Sequence, residues 1–247
     1  GVEVKIGILE CEAKSLIEDF TKYIRLRMPF VTLKLASSLD GKIATKFGES
    51  RWITSEHLRH IANKLRKEHA AILVGINTVL NDDPMLLVRS GRVHRQPIRI
   101  VVDSKARLPK SSALCRTLNK APLWLATTKH ANKEHLTELE SLGTRVIIVD
   151  DIDGRVDLLS LMRKLGELEV MSVLIEGGGE IAWSALKAGI VDRVVWFIAP
   201  IIIGGRDAKD AVAGEGVERL SEAFRLHEVK VKRMGSELII EGRLHNR

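Results

Sequence analysis

From Met28-Pro29 onward the chain alternates short apolar, β-branched runs with stretches of helical periodicity, and this alternation limits the fold more than any other property of the sequence. The runs Phe30–Ala36, Ala71–Gly75, Pro97–Asp103, Leu123–Thr127, Arg145–Val149, Ser172–Ile175 and Arg193–Ala199 read as strands, each short and bounded by turn residues. Helices are expected between them, from Thr54 or Ser55 to about Glu68, and over Lys133–Leu142, Leu158–Leu168 and Ile181–Ala188. Such a rhythm gives a mostly parallel sheet with helices on its faces, because parallel neighbours need a crossover connection. The last segment differs. Arg225–Arg233 and Glu237–Leu244 flank Met234-Gly-Ser236 as a hairpin, so antiparallel strands should close the sheet. The expected class is α/β. Ahead of this pattern, Val2–Leu9 reads as a strand and Glu10–Ile24 as a charged amphipathic helix, a piece too small to fold alone.

A chain of 247 residues, 45% hydrophobic and 29% charged, buries enough surface to need no metal or disulfide staple. Its two cysteines, Cys11 and Cys115, lie far apart and outside ligand-type spacing, and no His forms an i, i+4 pair with a third ligand in view. No metal site is expected. The uncharged run Val194–Gly205 in the C-terminal part holds Pro200 and is too short to span a bilayer, and no signal-peptide pattern is present. A cytoplasmic protein with no membrane partner is the expectation.

Lys and Arg number 39 against 32 Asp and Glu, a net charge of +7. The excess is local, with 15 basic and 6 acidic residues in 42–116 and 24 against 26 elsewhere. A basic segment is the footprint of nucleic-acid binding, but aromatic residues at 4%, with a single Tyr, leave no base-stacking platform. Small phosphorylated ligands explain the charge better, and no nucleic-acid partner is expected.

Several constellations could carry chemistry. In Ile175-Glu-Gly-Gly-Gly179 a buried strand hands over to a helix. The glycines let backbone N–H groups approach a ligand, and the helix start favours an anion such as a dinucleotide pyrophosphate. A simple tight turn fits the same residues. Glu176 is placed to pair with the N–H groups of a heterocycle, and the pattern is not the G-x-G-x-x-G of a standard Rossmann domain. Lys34, inside an apolar strand, either points outward or projects into a cavity. Asp40-Gly41 reads as a tight turn. Gly48–Thr54 combines the Ser50 hydroxyl, the Trp52 ring and a helix cap, and Thr78–Pro84 leads through Leu86 to Arg89. Arg66 and Arg89 carry guanidinium forks suited to a phosphate monoester, although solvated arginines would read the same way. Asp82 and Asp83 are equally plain turn formers. After the strand ending at Asp103, Ser104, Lys105 and Arg107 could receive a 2′-phosphate, whereas Asp103 itself could accept a ribose hydroxyl.

Thr32–Ala44, Gly48–Ser55, Val74–Pro84, Pro97–Ser104, Glu176–Gly179 and Ala199–Gly205 occur in this order, and together they resemble the reductase domain of the riboflavin-biosynthesis enzyme RibD from about Pro29 onward. The resemblance implies a dihydrofolate-reductase-like α/β fold over 29–247, a homodimer, NADPH as cofactor, and reduction of a phosphoribosylamino-pyrimidine to its ribitylamino form. It carries NADPH contacts onto Ala36, Trp52, Thr78, Asp82, Ser104, Gly178, Gly179, Glu180, Ile181, Ala182, Trp183 and Ser184. Substrate contacts fall on Ser50, Arg66, Leu86, Arg89 and Glu176, and a catalytic role near the ribose falls on Lys34. Residues 1–28 are similar to the closing strand and helix of the deaminase domain that precedes the reductase in bifunctional RibD. The zinc-deaminase signature, H-x-E followed by P-C-x-x-C, does not occur. The implied substrate is 5-amino-6-(5-phosphoribosylamino)uracil, with the diamino-pyrimidinone used by stand-alone reductases as the alternative.

Overall fold

The computed structural model describes residue 2, residues 4–89 and residues 95–244. Two helices, α1 (Glu10–Leu16) and α2 (Glu18–Leu26), lead into β1 (Phe30–Ser38), β2 (Lys42–Ala44) and α3 (Glu56–Glu68). The chain continues through β3 (Ala71–Gly75), α4 (Ile76–Asp82), β4 (Ile98–Val102), α5 (Ala113–Arg116), β5 (Leu123–Thr127), α6 (Lys133–Ser141) and β6 (Arg145–Ile148). A small hairpin of β7 (Asp151–Ile152) and β8 (Arg155–Val156) precedes α7 (Leu158–Glu167), β9 (Ser172–Glu176), α8 (Gly179–Lys187) and β10 (Arg193–Ala199). Last come β11 (Lys209–Asp210), β12 (His227–Met234) and β13 (Glu237–Arg243).

The nine-stranded sheet runs β12-β13-β10-β1-β9-β3-β4-β5-β6. The seven strands from β10 to β6 are mutually parallel, and β13 and β12 are antiparallel to their neighbours. The expected α/β class is what forms, a mostly parallel sheet flanked by helices with a C-terminal antiparallel hairpin. Strands β3, β5 and β9 are buried on both faces, which is why they read as continuous apolar runs and not as alternating ones. One core joins Val31, Leu33 and Leu73 to Leu161, Leu165 and Ile175, and a second gathers Ile72, Val101, Leu125 and Leu139. Successive strand residues point to opposite faces. Val31, Leu33 and Leu35 therefore enter the first core, while Thr32, Lys34 and Ala36 turn to the face of the third cluster, where α3 packs through Leu58, Ile61 and Leu65 with Phe197 and Ile239.

β9 inserts between β1 and β3, and the chain lies on both sides of β1 only after β10 has formed. The strand order thus reverses beside β1, and open parallel sheets bind ligands beyond the carboxyl ends of strands at such a place.

Two expectations fail at the N-terminus. Val2–Leu9 is expected as a strand, but its described residues 2 and 4–9 form none: Val2, Val4, Ile6 and Ile8 are exposed, and the edges of the sheet are already β12 and β6. The helix expected over Glu10–Ile24 is two helices parted at Ile17. α2 docks by charge instead of by an apolar stripe, with Lys22 on Asp192 at 2.6 Å and Glu18 paired with Arg243 and, at 3.4 Å, Arg193. Among the described residues, no helix is long and apolar enough to cross a membrane.

Candidate active site

The register of β1 and β9 sets Lys34 directly opposite Glu176. α3 begins at a Ser55 N-cap, whose hydroxyl accepts from the Leu58 N–H, and carries Arg66 to its last turn above this pair. Arg66 forks onto Glu176, with Nε to Oε1 and Nη2 to Oε2 both at 2.7 Å, while Nη1 reaches the Leu87 carbonyl at 3.4 Å. Burial pushes the Glu176 carboxyl up, but the charge and hydrogen bonds of Arg66, with Lys34 and His69 beyond, outweigh it and hold the group below the usual carboxylate range. Lys34 is half-buried. Its desolvation lowers its proton affinity, Glu176 opposes this, and Arg66 adds to it.

Below the triad lies a histidine that the sequence reading passed over. His69 Nδ1 sits 2.7 Å from the Leu65 carbonyl and Nε2 2.9 Å from Thr32 Oγ1. A carbonyl can only accept, so the proton is on Nδ1 and Nε2 accepts from Thr32, whose oxygen in turn accepts from Arg193 Nη2 at 3.2 Å. Burial, first of all, keeps this imidazole neutral.

The glycine loop follows Glu176. Gly177 and Gly178 have φ of 72° and 81°, a conformation other residues avoid. A Cβ on Gly178 would lie 3.2 Å from Thr78 Oγ1, and one on Gly179 would lie 2.4 Å from the Asp210 carbonyl. The N-terminus of α8 has no side-chain cap, so its first N–H groups are free to meet an anion. Beyond the loop the stretch divides. Ile181 and Ala182 are buried in the first core and can offer only backbone. The Trp183 ring packs against Gly214 and edge-on to Phe224 at 6.1 Å, in the wall of a separate cavity of about 690 Å³. Glu180 pairs with Arg155 at 3.4 Å, and Ser184 Oγ donates to the Glu180 carbonyl.

Two further segments meet. Ser50 Oγ is 3.4 Å from Asp82 Oδ1, and Arg51 donates to the Asp82 carbonyl at 2.6 Å. The Trp52 ring is 68% exposed with the Arg59 guanidinium 4.3 Å from its centroid. Ala36 is half-buried against the third cluster. Asp83 is the turn former of its pair, receiving the Ala113 N–H and Arg116. Leu86 turns through φ 52° and buries its side chain in the second core, so a substrate contact there would fall on its backbone. Arg89 is exposed, and its N–H donates to Asn63 on α3, less than one turn before Arg66. Ser104 Oγ accepts from the Val156 N–H, tying β4 to the small hairpin. Asp103 is 1% exposed and receives the N–H groups of Arg107 and Leu108, which removes it as a ribose acceptor. Asp40 clasps the Ile203 and Gly204 N–H groups, so it fixes a second loop as well as its own turn. Among the described residues, no group of three or more His, Cys, Asp or Glu is placed to hold a metal ion.

Residues 29–240 match the model of the RibD C-terminal domain. The chain belongs to that family.

The riboflavin biosynthesis protein RibD of Actinobacillus pleuropneumoniae is 39% identical over 241 residues, which are 98% of this chain and 64% of that protein. The 2,5-diamino-6-ribosylamino-4(3H)-pyrimidinone 5′-phosphate reductase of Methanothermobacter thermautotrophicus is 41% identical over 216 residues, 86% of this chain and 97% of that protein. The crystal structure of a deaminase and 5-amino-6-(5-phosphoribosylamino)uracil reductase from Thermotoga maritima superposes with a TM-score of 0.82 at 32% identity, over 99% of this chain and 65% of that one. This RibD C-terminal domain therefore spans about two thirds of its RibD relatives and nearly all of the pyrimidinone reductase.

Besides His69, the reading missed Glu237. It is buried and accepts from both the N–H and the hydroxyl of Ser55, clamping the start of α3 to the C-terminal hairpin. No local pattern could have shown this, because the two residues are joined only through the sheet.

Proposed function

We propose that the chain is a pyridine-nucleotide-dependent reductase of riboflavin biosynthesis that uses NADPH to convert 5-amino-6-(5-phosphoribosylamino)uracil to its ribitylamino product. The observation that carries this reading is the convergence of Lys34, Arg66 and Glu176 beside the Gly177–Gly179 loop, at the carboxyl end of β9 and the middle of β1. The loop fits a dinucleotide: a Cβ at Gly178 would crowd Thr78, and the uncapped start of α8 suits a pyrophosphate. Gly178, Gly179 and Thr78 would hold the cofactor, with Trp52 and Asp82 at the rim, and Ser50, beside Asp82, would meet the substrate. Lys105 and Arg107 suit a 2′-phosphate, Arg107 being half exposed. When bound, NADPH supplies a hydride.

The protein's own residues then have defined tasks. The ribosylamine must open before its C1′ can be reduced, which breaks the C1′–O4′ bond and requires a proton at O4′. Lys34 donates that proton, its ammonium made more acidic by burial. Glu176, oriented by the Arg66 fork, accepts from pyrimidine N–H groups, and Arg89 holds the phosphate, so that much of the acceleration comes from position. The 41% identity to the pyrimidinone reductase favours a second reading, with the diamino-pyrimidinone as substrate. Cofactor oxidation with each pyrimidine, using NADPH and then NADH, separates these readings, and no turnover of either pyrimidine would sink both. A cytoplasmic homodimer without nucleic acid completes the proposal, and light scattering tests its mass.

A further inference from the structure

The Lys34 ammonium lacks the partner its position promises. Its cross-strand neighbour is Glu176, but both Glu176 oxygens accept from Arg66. Among the described residues, Lys34 enters no ion pair, and what faces it is a ring: Nζ lies 5.2 Å from the centroid of Phe197. Phe197 is 1% exposed, wedged among Leu58, Val195 and Ile239, and the register of β10 sets it opposite Ala36, next to Lys34 on the same face of β1. Other cations lie over the exposed rings of Phe47 and Trp52 and, as guanidinium groups, over the buried rings of Trp124 and Phe30; Lys34 brings an ammonium to a buried ring, next to Glu176. Attraction between a cation and a ring is small in water and grows when both are desolvated.

We propose that Phe197 is a positioning residue for Lys34: its ring face holds an ammonium that forms no ion pair among the described residues, and so fixes where the Lys34 proton is presented. The catalytic meaning of this contact rests on the proposed function. The contact itself does not. The charged and titratable groups facing Lys34 are Glu176 from β9 and Arg66 from α3, with His69 at the end of α3 beyond them.

The test replaces Phe197 by phenylalanines with one, two and three ring fluorines, which drain the face of the ring with little change of shape. Phe197→Leu extends the series to no ring. Lys34 is titrated by NMR of the reductively ¹³C-methylated protein, with Lys34→Gln to assign its resonance, and the pH profile of kcat is recorded alongside. The proton affinity of Lys34 should fall stepwise with fluorination, about tenfold across the series, with kcat following and the KM for NADPH unmoved. A titration that ignores the fluorines overturns the proposal. A titration that moves while the kcat profile stays still supports the contact and overturns instead the catalytic role given to Lys34.

Discussion

Two arginines are drawn into the interior, and they are satisfied in opposite ways. Arg99 on β4 is fully buried and donates to the carbonyls of Met85 at 3.3 Å, Thr117 at 3.1 Å and Ala121 at 2.5 Å, and to the Thr117 hydroxyl at 2.6 Å. Among the described residues no carboxylate meets it, and burial pulls its pKa down to about 10. Arg66 gives its fork to one carboxylate at the edge of the glycine loop. Arg99 staples the Thr117–Ala121 segment to the sheet, and its removal strands every acceptor at once. Arg66 is held by a group that can itself titrate and bind. Burial of a charge therefore does not mark a functional site. The setting does: the carbonyls around Arg99 serve architecture, as does the Lys22–Asp192 pair that docks α2, whereas the Arg66–Glu176 pair lies beside the glycine loop.

This contrast makes graded claims. Arg99→Leu should cost about 3–5 kcal/mol in urea unfolding while leaving turnover per folded molecule intact; a loss under about 1 kcal/mol would show that Arg99 is not a staple. Lys34→Ala should do the reverse, lowering kcat about 100-fold with a stability change within about 1 kcal/mol. Glu176→Gln should touch both properties, reducing kcat/KM about tenfold and leaving Arg66 without a charged partner. Its stability effect carries a sign. The folded-state carboxyl lies below the unfolded value of about 4.3, so the ionised pair contributes fully above about pH 5 and is lost as pH falls through the folded value. Urea midpoints of wild type and Glu176→Gln should differ most at neutral pH and converge in acid. The smallest effect belongs to Arg89→Ala, which should raise the pyrimidine KM about fivefold at constant kcat; a defect in kcat alone would remove Arg89 from phosphate anchoring.

Most of the sheet is legible in the sequence because central strands such as β3, β5 and β9 are apolar runs flanked by turn residues. The alternating stretch Val2–Leu9 misleads, because its described apolar residues face solvent. Lys34, Arg66 and Glu176 each stood out singly, yet the reading placed Arg66 and Glu176 at opposite ends of a substrate. Their pairing depends on β9 entering between β1 and β3, which leaves no local trace. Leu86 is legible only as a position, since its positive φ turns the side chain into the core and leaves its backbone to meet a ligand. Arg99 lies inside the strand Ile98–Val102, and the carbonyls of Met85, Thr117 and Ala121 that hold its charge come from other segments, so no local pattern announces its burial.

The entry of β9 between β1 and β3 also orders events in time. Synthesis proceeds from the N-terminus, so β1, α3 and β3 leave the ribosome long before the strand that joins them. During that interval Leu33 and Leu73 lack their common neighbour Ile175, and Arg66 has no Glu176 to grip. The clamp of Glu237 on Ser55 comes later still. Closure over such sequence distances is slow, so the active constellation is completed only after β9 has been made and has entered the sheet.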